Sequence, residues 1–472
     1  MINIHWTSLD WLAVVFYLAA LVAIGWYVSK KITSTDDYYV AGRALTYPIA
    51  VGTIMATWYG SGAVFGTAEL AFGVGIAAFV VWCIPAHLGR IPLALWVAPK
   101  VRNIEGTTIP ALLGQLYAKP VAILGALLIV CFSTRLQDIV SVGIMGNTIT
   151  GIENWVIGSI IVGIVLIYTL FGGLWSVAMT DVLQFLLMTT ITLLLLPLLW
   201  IKVGGFAGLQ AVLPAEHFTP TGGMPFSRLL VFFLLGFQVY ADPAAYQRFS
   251  AANTANTAKR AYLTCLIVWL AFDVVMTLLG IAARGLYPEV APGKAFLAAA
   301  INNLPPFVAG LWIASILSAI MSSMDSFFLV GATTLANDIY KPLFNKNATD
   351  AELIRMTRIF VILIGVIGCA AAFQFTMVLD AAIFLGGLYL ASALVPVIGG
   401  LFWTGKRTVA GGFLSMLAGM AATFIWQLLK NPYGLKPMLI ALPISFIFFL
   451  LGNQFGKPLT TGTGSSSETY GS

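Results

Sequence analysis

Several oxygen-bearing side chains interrupt the apolar stretch 315–340, which reads SILSAIMSSMDSFFLVGATTLANDIY. A helix would point Ser322, Asp325 and Ser326 to one side, because they lie three or four positions apart. Ser323 lies beside them. A carboxylate inside the hydrocarbon is costly and indicates function, and small hard cations prefer hydroxyl, carboxylate and carbonyl oxygens. The pattern therefore predicts a Na⁺ site on a membrane helix.

Helix packing is the alternative interpretation of the same stretch. Small residues recur at every fourth position, a pattern that membrane helices use at their interfaces: Ala314, Ser318, Ser322 and Ser326. Serine hydroxyls also hydrogen-bond to the preceding turn of their own helix. Asp325 favours the ion site, because packing alone does not require an acid inside the membrane.

The composition indicates a polytopic membrane protein. The chain has 472 residues, of which 60% are hydrophobic and only 9% are charged, and a soluble domain of this size could not cover its surface with so few polar groups. The four cysteines and three histidines show no metal-ligand spacing, and neither a nucleophile elbow nor a phosphate loop is present. An enzyme is therefore disfavoured. A channel is disfavoured too, because no repeated filter segment appears, and nothing indicates a nucleic acid or an obligate protein as a partner.

Hydropathy predicts 13 spans in a single transporter domain, residues 1–456, followed by a disordered polar tail, 457–472. Of the 24 lysines and arginines, 16 fall in loops on one side, Arg248 among them, and 6 on the other. This bias predicts an outside N-terminus and a cytoplasmic C-terminus in a bacterial inner membrane. The predicted spans are roughly 9–29, 46–73, 75–99, 120–147, 153–171, 173–200, 227–247, 260–283, 305–335, 357–375, 377–403, 408–429 and 435–454.

Two predicted spans contain helix-breaking sequences at mid-depth. The second reads ATWYGSG over 56–62, and the seventh reads GFQVYADP over 236–243. Irregular backbone at this depth is tolerated where it lines a cavity. Broken helices at matching places in two halves predict inverted repeats, here about 46–200 and 227–403, with the binding site between them. The alternative is that glycine and proline are simply frequent in membrane helices.

The chain resembles the sodium:solute symporter family. The resemblance rests on DDYYVAGR, GGLWSVAMTDVLQ, ADPAAYQRFSAA and SAIMSSMDSFFLVGATTLANDIY, and it covers nearly the whole chain. It implies an all-α, leucine-transporter-like core of five plus five inverted helices, with one extra helix at the N-terminus and two at the C-terminus. It also implies a symporter that imports a small polar solute with Na⁺ by alternating access.

The same resemblance implies the ligands of the coupling ion. The main Na⁺ would be bound by three backbone carbonyls and two hydroxyls: those of Ala56, Tyr59, Ala319, Ser322 and Ser323. A second Na⁺ would lie near three further side chains and Ser322: Asp181, Asp325 and Ser326. Asp325 stands where some two-sodium members have a hydroxyl, so a proton on Asp181, Asp242 or Asp325 is the alternative coupling ion.

The substrate is predicted to bind beside the two breaks. The candidate contacts are Trp58, Gly60, Trp82, Gln238, Tyr240 and Asp242. The choline-transporter branch, which these motifs also resemble, implies an aromatic box that includes Trp58. That branch has a further tryptophan in the seventh span, where this sequence has Asp242, which could be a counter-ion for an amine or a structural acid. A small amino acid, an amine and a small carboxylate all remain open. Of the other charges within spans, Arg135 and Asp138 are expected to pair, and Arg90, three residues after His87, could extend to a membrane face.

Overall fold

The computed structural model describes residues 4–30, 32–103 and 108–457. Most of the predicted tail, 458–472, therefore lies outside the described residues. Within the described ranges the chain is almost entirely helical, with an isolated β-bridge between Leu45 and Ala252. The main helices are α1 (Ser8–Ser29), α2 (Tyr47–Trp58), α3 (Gly62–Val74), α4 (Phe79–Asn103), α5 (Lys119–Thr150), α6 (Asn154–Lys202), α7 (Phe226–Ala251), α8 (Ala255–Leu286), α9 (Val308–Leu343), α10 (Asp350–Ala372), α11 (Val378–Phe402), α12 (Val409–Leu428) and α13 (Met438–Phe455).

Among the described residues, 11 helices are long and apolar enough to cross a membrane, against the 13 spans expected. The difference has two sources. The helix α6 has 49 residues, roughly 70 Å at 1.5 Å per residue, so it covers two predicted spans. The short helices α2 and α3 together occupy the second predicted span, but each is too short to count alone.

The helix α6 breaks at Gly173, whose φ of 51° and ψ of −142° are not helical. Such a conformation is open mainly to glycine. A side chain here would also overlap the carbonyl oxygen of Tyr38, which belongs to the short helix Thr35–Val40. The break therefore falls at the boundary expected between the fifth and sixth spans, and it leaves no loop between them.

Both predicted breaks beside the binding site are present. The helix α2 ends at Trp58, Tyr59 has non-helical angles, and α3 starts at Gly62. In α7 the first half tightens into a 3₁₀ turn over Gly236–Ala241, and Asp242 is extended. The Asp242 carboxylate accepts a hydrogen bond of 2.7 Å from the amide of Ala245 and so caps the second half; side-chain acceptors are favoured at this position.

The helix α9 forms the centre of the molecule. Every residue in its most apolar window of 18 is buried, and it packs against α1, α2, α5, α6 and α10. A helix surrounded on all sides by other helices cannot face lipid, so its polar residues must find their partners inside the protein. This burial places the predicted ion ligands on the most enclosed element of the fold.

A backbone contact joins the N-terminal end of the first broken crossing to the C-terminal end of the second. Leu45, just before α2, donates a hydrogen bond of 3.0 Å to the carbonyl of Ala251, and Asn253 donates one of 2.9 Å to the carbonyl of Leu45. The guanidinium of Arg102 donates to the carbonyl of Ala252 in the same place. The first elements of the two predicted repeats therefore meet at one end of the molecule.

Candidate ion and solute sites

The hydroxyls of α9 lie against the broken end of α2. Ser322 Oγ is 2.9 Å from the Ala56 carbonyl and 3.1 Å from the Ala319 carbonyl, and Ser323 Oγ donates to the Thr57 carbonyl at 2.6 Å. Because α2 ends at Trp58, the carbonyls of its last turn lack the partners that a continuing helix would supply. The structure thus brings together the predicted oxygens of Ala56, Ala319 and Ser322.

Ser323 and Tyr59 extend the same cluster. Ser323 is fully buried, and a side chain on Gly60 would overlap its hydroxyl, so the backbone after the break lies directly on α9. Tyr59, at the break itself, is also buried and packs edge to face on Phe272, with ring centroids 4.7 Å apart. Four of the predicted ligands of the main Na⁺ therefore lie on α2 and α9, and Tyr59 lies at the break that directly follows α2.

Asp181 lies against α2 in a second buried polar cluster. One oxygen of its carboxylate accepts a 2.5 Å hydrogen bond from Thr53 and a 3.4 Å one from Thr57, and it lies 3.8 Å from the guanidinium of Arg248. The other oxygen has no hydrogen-bond partner. Thr57 also contacts Ser326 at 3.0 Å, so the cluster reaches α9.

Asp325 belongs to this cluster through its neighbours. Tyr168 donates to one of its carboxylate oxygens at 2.8 Å, and Ser326 donates to the other at 3.2 Å. Arg248 donates to the Ser326 hydroxyl at 2.5 Å. Asp181 thus contacts the Arg248 guanidinium directly and Asp325 is linked to it through Ser326, in a fully buried site. With both acids ionised, the cluster would carry an excess negative charge that a cation would balance.

Arg248 was not expected here. The sequence analysis counted it with the loops on the cytoplasmic side, but it is fully buried in the second half of α7. That half begins with Pro243 and contains several polar residues. Its average hydropathy is therefore as low as that of a loop. Spacing gave no signal for its partner, because Asp181 is far away in the sequence.

A cavity of about 120 Å³ lies between the two broken helices. Four of the predicted substrate residues line it: Trp58, Gly60, Trp82 and Gln238. The other two do not. Tyr240 donates its hydroxyl to the Gly89 carbonyl at 2.6 Å, and Asp242 caps α7. The cavity therefore coincides with the predicted place for the solute, although the seventh span contributes less than expected.

Arg90 also lines the cavity, although the sequence suggested that it could extend to a membrane face. It is 8% exposed, and its guanidinium carbon lies 4.8 Å from the centre of the Trp58 ring and 5.0 Å from that of Trp269. His87 contacts it at 3.4 Å and forms a 2.7 Å contact with Asp273. The i, i+3 spacing of His87 and Arg90 was visible in the sequence, but the partners on α8 were not.

Arg135 and Asp138 form the expected pair. Arg135 Nε lies 2.5 Å from the Asp138 carboxylate, and Ser61 donates both its amide and its hydroxyl to that carboxylate. The guanidinium carbon of Arg135 also lies 4.3 Å from the ring centre of Phe327. Arg135 lines the cavity, but its charge is balanced within the protein.

These features define a polytopic helical transporter with two broken helices around a central polar site. Comparison with known proteins gives the family: the model of the sodium:solute symporter family matches residues 38–419. The chain belongs to that family. The relatives of this chain in that family are transporters. The chain is therefore a multi-pass membrane transporter and not an enzyme.

Three comparisons illustrate the likeness. The high-affinity proline transporter PutP of Bacillus subtilis is 27% identical over 463 residues, covering 93% of this chain and 96% of that protein. The high-affinity choline transporter 1 of Drosophila melanogaster is 27% identical over 404 residues, covering 76% and 61%. The solved structure of a Na⁺-coupled sialic acid symporter has a TM-score of 0.82 at 20% identity, covering 96% and 99%. That structure has the leucine-transporter-like fold, so this chain shares it.

Proposed function

We propose that the protein imports a small polar organic solute together with Na⁺ by alternating access. The main Na⁺ would be bound by the carbonyls of three residues and the hydroxyls of two: Ala56, Tyr59, Ala319, Ser322 and Ser323. The observation that carries this proposal is the contact of the α9 hydroxyls of Ser322 and Ser323 with carbonyls at the broken end of α2, at 2.9 and 2.6 Å. An oxygen cluster of this kind suits a small hard cation.

An ion at this junction would bind oxygens from both elements and so hold the end of α2 against α9. The cavity for the solute begins at the same break, since Trp58 and Gly60 line it. Ion binding and solute binding would therefore order the same backbone, which is the physical basis of coupling between two sites. A membrane potential adds about 2.3 kcal/mol per charge for each 100 mV.

The test is uptake into liposomes that contain the purified protein, driven by an inward Na⁺ gradient. We expect Ser322→Ala combined with Ser323→Ala to raise the Na⁺ concentration for half-maximal uptake by about tenfold or more, since each change removes one ion ligand. Ser392→Ala is the matched control, because this buried serine bonds only to the Leu388 carbonyl of its own helix. Undiminished uptake by the double variant at limiting Na⁺ would contradict the assignment.

A second coupling ion is favoured by the cluster around Asp181. Two buried carboxylates face one guanidinium there, and one Asp181 oxygen is unpartnered. A second Na⁺ bound by Asp181, Asp325 and Ser326 would balance the charge, and a proton on one of the aspartates, with Asp242 as a further candidate, would do the same. Asp325→Asn distinguishes them: it should lower the charge moved per solute if Na⁺ binds, and abolish uptake driven by a pH gradient alone if a proton does.

A further inference from the structure

Beyond the coupling ion, we infer that the transported solute carries a carboxylate and that the guanidinium of Arg90 binds it. The inference rests on the proposed function, because it concerns the cavity where the solute would bind. It narrows a set of candidates that otherwise includes amines and neutral solutes. Three features support it: the unbalanced charge of Arg90, its unpartnered Nε and the rings that surround it.

The charge of Arg90 is not balanced by direct contact with an acid. Within the described ranges, Arg135 and Arg248 each lie within 4.0 Å of a carboxylate, at 2.5 and 3.8 Å, whereas Arg90 has none at that distance. The acid nearest to it in the cluster, Asp273, is bound to His87 instead. A buried charge normally has a partner, so this guanidinium is suited to an anion that arrives from the cavity.

The contacts of His87 show which nitrogen of Arg90 is already engaged in a hydrogen bond. His87 Nε2 donates to the acceptor-only carboxylate of Asp273, so we assign its Nδ1 as the acceptor that faces Arg90 Nη1 at 3.4 Å. One terminal nitrogen of Arg90 is thereby engaged, while Nε has no hydrogen-bond partner. A guanidinium can bind a carboxylate through two parallel hydrogen bonds, and the unpartnered Nε of Arg90 is one donor for such a contact.

The rings around Arg90 argue against a quaternary ammonium. Trp58, the ring implied for an aromatic box, already lies 4.8 Å from the guanidinium carbon of Arg90, and Trp269 lies 5.0 Å from it. Trp82 stacks on Phe232, with centroids 5.6 Å apart. A cationic solute placed on Trp58 would approach an arginine, and like charges in a site of low dielectric repel strongly. The rings instead hold the guanidinium in place.

The experiment uses the intact protein in detergent and in liposomes, with probes matched in shape that differ in the carboxylate. The pairs are glycine betaine with choline, L-proline with L-prolinamide, and propionate with propionamide. Thermal stabilisation by each probe measures binding, and Na⁺-driven uptake measures transport. The variants are Arg90→Lys and Arg90→Gln. Arg284→Gln is the control, because Arg284 also lies over a ring, that of Phe72 at 4.9 Å, but does not line the cavity.

We expect only the carboxylate member of a pair to bind, and Arg90→Gln to weaken its binding by about 30-fold or more, the lower limit for losing one partner of a buried charge pair. Arg90→Lys, which keeps the charge but not the fork, should weaken it less. Thermal stabilisation by Na⁺ without solute should persist in both variants, which also shows that they fold. Stronger binding of choline than of glycine betaine, no binding of any carboxylate probe, or unchanged carboxylate affinity in both folded Arg90 variants would overturn the inference.

The same data separate this inference from the proposed function. Carboxylate binding that depends on Arg90, without uptake driven by Na⁺, would overturn Na⁺ coupling and leave the carboxylate site standing. Na⁺-driven uptake of a probe that is equal in the wild type and both Arg90 variants would support Na⁺ coupling and overturn the carboxylate site.

Discussion

Gly60 is the residue at which the unwound segment touches the predicted ion ligands most closely. A methyl group there would overlap the hydroxyl of Ser323, and overpacking of this kind costs about 1–3 kcal/mol. We therefore expect Gly60→Ala to raise the half-saturating Na⁺ concentration by about tenfold. Gly62→Ala is the control, because nothing lies within 4 Å of the added methyl group. Equal Na⁺ dependence of the two variants in the uptake assay would contradict the proposed position of the ion.

The sequence predicted those ligands that belong to one helix or to a visible break. Ser322 and Ser323 are adjacent on α9, and the glycines after Trp58 marked where carbonyls would be released. It did not predict Arg90 as a cavity residue or Arg248 as the partner of Asp181. Their partners lie on other helices, and His87 and Asp273 are 186 residues apart. Spacing reports contacts along one helix, whereas contacts between helices depend on packing that no local pattern encodes.

At the scale of the element, the break in α6 depends on Gly173. Its positive φ costs other residues about 1–3 kcal/mol, and a side chain would overlap the backbone of Tyr38. We expect Gly173→Ala to lower the thermal unfolding midpoint in detergent and the yield of folded protein. Gly163→Ala, on the same helix with nothing within 4 Å of the added methyl group, should be neutral or slightly stabilising, since alanine favours helix. Equal midpoints for the two variants would contradict this role.

Hydropathy separated the two halves of α6 at Gly173, and glycine, proline and polar residues marked the breaks after α2 and within α7. It misplaced Arg248, because a helix segment that is polar yet enclosed by other helices resembles a loop in a hydropathy window. The inverted relation of residues 46–200 and 227–403 stays a prediction.

At the scale of the whole molecule, the orientation in the membrane is open to a direct test. Without Arg248 the loops on one side still carry 15 basic residues against 6 on the other, and the larger number favours the cytoplasm. We expect a fluorescent protein fused after residue 457 to fluoresce and alkaline phosphatase at the same place to be inactive. Fusions after Lys430, between α12 and α13, should give the opposite result. The reverse pattern would contradict the predicted orientation.

The backbone contact between Leu45 and Ala252 has a consequence for how transport is timed. The two hydrogen bonds of that contact, at 3.0 and 2.9 Å, join the ends of both broken crossings, so this end of the molecule cannot separate while they persist. Each separation would release the amide hydrogens of Leu45 and Asn253 to water. Those two hydrogens would exchange for deuterium only when that end opens, and a common exchange rate for both would show that one opening releases them together.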